Sequence, residues 1–378
     1  RRAIEAADAE LLAAVASYDD VLVSLIAEVA TSYTQIRILE ERLALARDNV
    51  RVQQEGLRIA QARFEEGGTS ELDVQQATTL LADTEASIPE LQSQLRQSFD
   101  RLAVLLGTAP GLLPATLEPA AGIPSAPAAV VVGVPAELLR RRPDVRQAER
   151  QMAAESARIG ASLANLFPRF ELSGTIGLSA ENAADLVRGS SLDAIGGPRF
   201  DWPILNYGRL INAVRAQDAI FQQAVMAYAA TVLEAQREVE DALVAFLRGG
   251  ERVQLLLRAV AAANRAVEIA LIQYREGAAD YTRVLTAQQS KLREDDALTS
   301  ARGAVTLAVI ALYRALGGGW EVRQGGDFIN EDVQRQMEER SWWGALSDSE
   351  RRQRTLRQVE ADAEASSWWN PRRWWPQW

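Results

Sequence analysis

The chain carries the same pattern twice. Shifted by 210 positions, its halves superpose without a gap from Ala3 on Ala213 to Gly107 on Gly317. Gly67 falls on Gly277, Phe64 on Tyr274, Glu66 on Glu276, Val74 on Val284 and Tyr18 on Tyr228. Two glycines at equal separation in both copies set the register, and an internal repeat requires the copies to fold alike.

Each copy reads as a long helix, a short break and a return helix. In the first, one seven-residue register is apolar throughout: Val15, Leu22, Val29, Ile36, Leu43, Val50, Leu57 and Phe64. The second keeps it with Val225, Val232, Val239, Phe246, Val253, Val260, Val267 and Tyr274. The return helices repeat it from Val74 to Leu102 and from Val284 to Leu312, with Lys291 the exception. A strict seven-residue spacing keeps one seam against a neighbouring helix and implies left-handed supercoiling. The companion seam is weaker and mostly small (Leu25, Leu39, Ala46, Ala60, then Ala235, Ala242, Ala263, Ala270), and its small residues let helices approach closely. No proline interrupts 3–66 or 213–276. At ~1.5 Å per residue each stretch would span roughly 95 Å, and so long a helix needs partners along its length. Gly67-Gly68 and Gly277-Ala278 permit the chain reversals. Pro89, inside the first return helix, predicts a kink. Taken alone, these heptads also describe a soluble coiled-coil or spectrin-like rod.

Composition narrows the chemistry. The chain has no cysteine and no histidine, so thiolate nucleophiles, disulfides, Cys/His metal sites and every His-dependent triad are excluded. Only carboxylates remain, and no pair of them stands apart from the solvated helix faces. An enzyme is not expected, nor any cofactor. The net charge of −10, with Arg and Glu interleaved, argues against nucleic acid as a partner. No run of about 18 apolar residues predicts a membrane-spanning helix. Arg1 to Glu5 are already helix-like and lack the features of a signal peptide. Two readings stay open here: a cytosolic protein, or a chain that starts partway through a longer one.

Between the copies the character changes. Residues 108–142 are rich in proline and read as an extended connector, with a short strand at Val130-Val131-Val132. A helix begins at Pro143-Asp144, where proline suits the first turn and the acid complements the helix N-terminus, and runs to about Leu166. Phe170, Leu172, Ile176 and Leu178 then alternate with Arg169, Glu171, Ser173, Thr175 and Ser179. After a loop containing Gly189, Gly196 and Gly197, Phe200, Trp202 and Ile204 alternate with Arg199, Asp201 and Pro203. Ten-residue segments of alternating polarity fit transmembrane barrel strands, one face to lipid and one to water. An amphipathic hairpin on a soluble domain shows the same alternation, but its place before a heptad helix is odd for a cytosolic rod.

Several motifs resemble one family. Leu138-Leu139-Arg140-Arg141-Arg142-Pro143-Asp144-Val145-Arg146-Gln147-Ala148-Glu149, Ile159-Gly160-Ala161, Leu166-Phe167-Pro168, Asn206-Tyr207-Gly208-Arg209 and Leu312-Tyr313-Arg314-Ala315-Leu316-Gly317-Gly318-Gly319-Trp320 occur in order. They resemble signatures of TolC-like outer-membrane factors, in the lipoprotein branch that serves RND multidrug pumps. The resemblance covers roughly 3–320. It implies a homotrimer whose four strands per protomer close a twelve-stranded barrel in outer-membrane lipid. Helical hairpins then form an α-barrel through the periplasm, and their tips meet a periplasmic membrane-fusion adaptor and an inner-membrane RND pump. A type I protein-secretion exit duct shares that fold and stays open as an alternative.

The resulting expectation is a mainly α fold with a small β part: tandem long α-hairpins plus transmembrane β-barrel strands. The first repeat is 1–107, the connector 108–142, a helix 143–167, the strand pair 168–208, the second repeat 209–320, and a Trp-rich tail 321–378. By the repeat, Arg1-Arg2 corresponds to Ile211-Asn212, so the first copy's strand pair, a signal peptide and a lipidated cysteine are expected to precede residue 1. Relatives carry Leu and Asp at the periplasmic constriction. The matching positions here are Thr282 and Thr286, flanked by Asp280, Tyr281 and Arg283. A gate of Tyr281, Thr282 and Arg283 is therefore expected, tied by Arg283 to a neighbouring Asp73. The equal alternative is that these charges only solvate a helix turn. Arg63, Gly67, Arg275 and Gly277 are the candidates for adaptor docking, and Phe170, Leu172, Ile176, Leu178, Phe200 and Trp202 for lipid contact.

Overall fold

A computed structural model describes residues 1–111, 117, 122–127, 141–179, 192–320, 332–333 and 335–336. The strand expected at Val130-Val132, Gly189, Leu138 to Arg140 and the tryptophans of the tail lie outside the described residues. The elements run α1 (Arg2–Glu65), α2 (Glu71–Leu105), α3 (Pro143–Ala164), β1 (Arg169–Leu178), β2 (Leu192–Asp201), α4 (Tyr207–Arg275) and α5 (Tyr281–Ala315). The fold is mainly helical, with one two-stranded sheet among the described residues. No described helix is long and apolar enough to cross a membrane.

The repeat is written into the helix ends. α2 and α5 are each 35 residues long and start and stop at repeat-equivalent positions. All four long helices close the same way. The C′ glycines Gly67, Gly107, Gly277 and Gly317 have φ of 74°, 68°, 75° and 71°. Gly67 N donates to Phe64 O at 3.0 Å and Gly68 N to Arg63 O at 2.7 Å; Gly317 N donates to Arg314 O at 2.9 Å and Gly318 N to Tyr313 O at 3.0 Å. Gly107/Thr108 and Gly277/Ala278 repeat this pair of bonds, which satisfies the last carbonyls of each helix. α2 continues through Pro89.

One compact unit comprises residues Arg1–Ser17, Asp144–Val232 and Gly325–Trp378. Its buried apolar residues are Ala6, Leu12, Ala13 and Ala16 of α1, Val145, Met152, Ala154 and Ala157 of α3, and Phe221 of α4. Arg158 pairs with Glu10, and Gln217 donates to Glu155 at 2.6 Å. Gly160 leaves room for the Arg2 side chain, whose Cδ would lie 3.0 Å from a Cβ there. α3 ends at Ala164, two residues before the expected Leu166.

The second unit comprises Tyr18–Pro143 and Leu233–Gln324. Along α4 its buried positions are Ala235, Val239, Ala242, Phe246, Ala263, Val267, Ala270 and Tyr274, so both heptad registers face inward. α1 and α5 pack antiparallel: Ile38 meets Gly303, Arg42 donates to Ser300 at 2.6 Å, and Lys291 donates to Asn49 at 2.8 Å. Two of the motifs meet here. Buried Arg142 donates to Ala315 O and to Glu238, each at 2.7 Å, while its backbone packs on Gly317.

The second strand differs from expectation. β2 starts at Leu192, so Gly196, Gly197 and Pro198 lie within it, and Pro203 and Ile204 fall beyond its end, Pro203 capping the 3₁₀ turn that Ile204 begins. Extended backbone accommodates glycine, and proline is tolerated because both strands of a two-stranded sheet are edges.

Candidate functional site

Two places concentrate features that packing alone does not require: the β-hairpin and the hairpin tips. In the hairpin, Phe170 pairs with Phe200, Leu172 with Pro198, Gly174 with Gly196, Ile176 with Ala194 and Leu178 with Leu192. Side chains alternate between faces, so this register collects every one of those residues on one apolar face. The other face pairs Arg169 with Asp201 and Glu171 with Arg199, and carries Ser173, Thr175 and Asp193. The apolar face is bare: Phe170, Leu172 and Ile176 are 81%, 86% and 81% exposed, and Leu178 and Phe200 are exposed too. Phe170 and Phe200 pack with ring centroids 5.2 Å apart. Trp202 stands just past β2, edge-on to Phe200 at 6.5 Å. Its indole donates to Tyr207 Oη at 3.0 Å, and Tyr207 Oη donates to Leu166 O at 3.0 Å, which closes the base of the hairpin.

The tips are built from the helix ends. Tyr274, on the last turn of α4, and Tyr281, on the first turn of α5, pack edge-to-face at 5.3 Å. They sit among Ile59, Ala60, Ala77, Ala270 and Val284. Tyr274 Oη donates to Asp73 Oδ2 at 3.2 Å, and Thr69 Oγ1 donates to the same carboxylate. Arg63 stacks on the Tyr274 ring at 4.6 Å and donates to Tyr274 O at 2.6 Å and Gly68 O at 2.9 Å. One guanidinium thus binds carbonyls from both hairpins, and one carboxylate joins α2 to α4. Burial pushes the Tyr281 hydroxyl up to about 12, with Tyr274 and Asp73 adding to it. Burial raises Tyr274 as well, and Asp73 reinforces the shift.

The expected gate residues divide. Thr282, Arg283 and Thr286 are exposed and line a shallow groove with Asp280, Ala287 and Ser290. Asp280 caps α5, its side chain accepting from Arg283 N at 3.3 Å. Tyr281 corrects the expectation: at 1% exposure it packs the tip and cannot line an opening in this arrangement. An apolar ring at the first turn of α5 is drawn into the seam as the helix phase turns it toward Tyr274. Within the protomer the partners of Asp73 are Thr69 and Tyr274, not Arg283, among the described residues. Arg63, half-buried, likewise bonds within the protomer. Gly67 and Gly277 are exposed at the turns, and Arg275 lies 3.6 Å from Glu55. Sequence reasoning missed Tyr274 as a polar link. Its signal was the repeat mismatch of Phe64 with Tyr274, a single added hydroxyl. Among the described residues no three carboxylates gather as a metal site.

The outer membrane efflux protein family profile matches residues 1–108 and 134–318. Nodulation protein T of Rhizobium leguminosarum bv. trifolii is 34% identical over 290 residues, covering 77% of this chain and 62% of that protein. Outer membrane protein OprJ of Pseudomonas aeruginosa is 32% identical, over 79% of this chain and 62% of its own length. The chain therefore spans somewhat under two thirds of these curated relatives. Among solved structures, the outer-membrane channel OprN superposes with a TM-score of 0.81 at 36% identity, covering 85% of this chain and 72% of that one. VceC of Vibrio cholerae gives 0.76 at 27% identity, over 85% of this chain and 76% of its own.

Proposed function

This chain belongs to the outer membrane efflux protein family, a family of channel proteins and not of enzymes, and from that premise we propose that it is a protomer of a passive exit duct in a tripartite efflux system. The duct is a homotrimer in the bacterial outer membrane. Strands of 168–208 contribute to its barrel, and the hairpins of 1–107 and 209–320 form a tube through the periplasm. A membrane-fusion adaptor meets the exposed tips around Gly67, Arg275 and Gly277, and an inner-membrane RND pump supplies the energy. Small molecules pass through water, with no bond made or broken.

The observation that carries this reading is the β-hairpin register. It gathers the apolar residues of the hairpin on one face, which is exposed, and among the described residues both strand edges are unpaired. In water such a ribbon is unstable. In lipid it is tolerated only where further strands close a barrel and satisfy the edges. The tips supply the second requirement, a closable entrance. Thr282, Arg283 and Thr286 line it, the Tyr274–Asp73 bond and the Arg63 bridge hold the two hairpins of one protomer together, and Arg283 reaches Asp73 of a neighbouring protomer.

The absence of cysteine makes the test direct. A nitroxide on Leu172→Cys is expected to be relaxed by oxygen from the bilayer and shielded from a water-soluble nickel reagent. On Ser173→Cys the preference reverses. Equal access of the nickel reagent to both positions in membrane-inserted protein overturns the duct reading.

A further inference from the structure

The antiparallel seam between α1 and α5 contains a buried polar layer that the heptad pattern does not call for. Asn49 and Gln53, one turn apart on α1, and Gln288 and Asp295 on α5 are all buried. Lys291, the only lysine of the chain, donates to Asp295 at 2.6 Å and to Asn49 Oδ1 at 2.8 Å. Four buried amide atoms have no partner among the described residues: Asn49 Nδ2 and Gln53 Oε1 on α1, and Gln288 Nε2 and Oε1 on α5. The repeat shows that this layer is particular to one copy. Asn49 and Gln53 correspond to Ala259 and Ala263, Lys291 to Leu81, and Gln288 to Thr78.

The four orphans are complementary. The donor Asn49 Nδ2 matches the acceptor Gln288 Oε1, and the acceptor Gln53 Oε1 matches the donor Gln288 Nε2. Asn49 and Gln53 share one helix face at a spacing of four, so a single carboxamide can bridge both. At present the Gln288 amide lies one step nearer the tip, against Gly56, where a Cβ would stand 3.1 Å from Nε2 and 3.7 Å from Tyr281 Oη. Buried groups without partners raise the free energy of the arrangement that leaves them so. We propose that the α1–α5 seam has two registers: the one seen, held by Lys291, and a second in which α5 is displaced by less than a helical turn away from the tip and Gln288 bridges Asn49 and Gln53. The displacement carries Tyr281 with it, because Tyr281 and Gln288 lie on the same face of α5 against Gly56. The inference concerns this helix pair alone and holds whether or not the assembled protein conducts.

Gly56→Ala crowds the amide out of its present position, so it favours the second register. Gln288→Leu removes the bridging group and two of the four orphans, so it favours the first. Nitroxides on Arg47→Cys and Arg293→Cys, exposed positions at the same level of α1 and α5, report the distance by pulsed dipolar spectroscopy. Labelled chains are diluted with unlabelled ones so that only pairs within one chain count. Gly56→Ala is expected to shift the ratio of the two distances by roughly fivefold or more toward the displaced one. Gln288→Leu is expected to collapse the distribution to a single distance and to raise the midpoint of thermal unfolding. Distance distributions that coincide in the parent and both variants overturn the proposal, as does a displaced distance that survives Gln288→Leu.

Discussion

Alanine at Gly317 is expected to be far more costly than alanine at Gly107, although the repeat makes the two positions equivalent. Both hold left-handed backbone, with φ of 71° and 68°, and both close a 35-residue helix with the same pair of bonds. A Cβ in that conformation costs about 1–2 kcal/mol, partly offset by the lower entropy of the unfolded alanine chain. Among the described residues nothing lies within 4 Å of a Cβ at Gly107, so Gly107→Ala should cost only this, about 1 kcal/mol net. At Gly317 the Cβ would stand 3.0 Å from Cα and Cγ of Arg142 and 3.3 Å from its N. Backbone atoms cannot swing aside, and overpacking of this kind adds about 1–3 kcal/mol. Relief by moving Arg142 would stretch its bonds to Ala315 O and Glu238, made by a side chain only 8% exposed. The difference between the two variants should therefore be about 2 kcal/mol, or roughly a thirtyfold loss of protection. Amide exchange at Leu316 to Gly318, compared with Leu106 to Thr108, reads it locally, and urea titration followed by helical circular dichroism reads it globally. Equal costs within about 0.5 kcal/mol would refute the claim that Arg142 is what reserves Gly317 for glycine.

Three further outcomes are expected. Tyr274→Phe keeps the ring stack but deletes the hydroxyl bond to Asp73, costing about 1 kcal/mol; in bilayer recordings of the assembled protein it should raise the open probability, and unchanged gating would remove Tyr274 from the proposed entrance. Tyr281 titrates near 12 when folded and near 10 when unfolded, so its contribution is complete below pH 10 and disappears as pH rises through 12. About 2 kcal/mol of stability should be lost across that window and retained by Tyr281→Phe, as measured by unfolding at stepped alkaline pH. Lys291→Met strands the buried Asp295 carboxylate and should cost about 3–5 kcal/mol, whereas Lys291→Met with Asp295→Leu should recover most of it; a double variant no better than the single one would contradict the pairing.

Much of this fold was legible because its information is local. Schellman bonds join residues three and five apart, so the glycines at 67, 107, 277 and 317 determine the four helix ends without reference to the rest of the chain. Heptad spacing told which residues of α4 turn inward: Ala235, Val239, Ala242, Phe246, Ala263, Val267, Ala270 and Tyr274 are buried, while Val253 and Val260 between them are half-buried. Alternation told which residues of β1 share a face. It failed for β2, where Gly196 and Gly197 read as part of a loop but extend because β1 offers them a partner strand.

Only the tertiary structure decided where one element meets another. Arg142 reaches Glu238, Arg63 caps a carbonyl of the other hairpin, Tyr281 faces inward, and Gln288 lies against Gly56. Periodicity determines which side of a helix is apolar, but sliding that helix by one turn preserves the pattern while exchanging every cross-helix partner. The pairing is chosen by close packing and by the few polar groups that must find each other across the seam, a sum over both helices that neither segment contains alone.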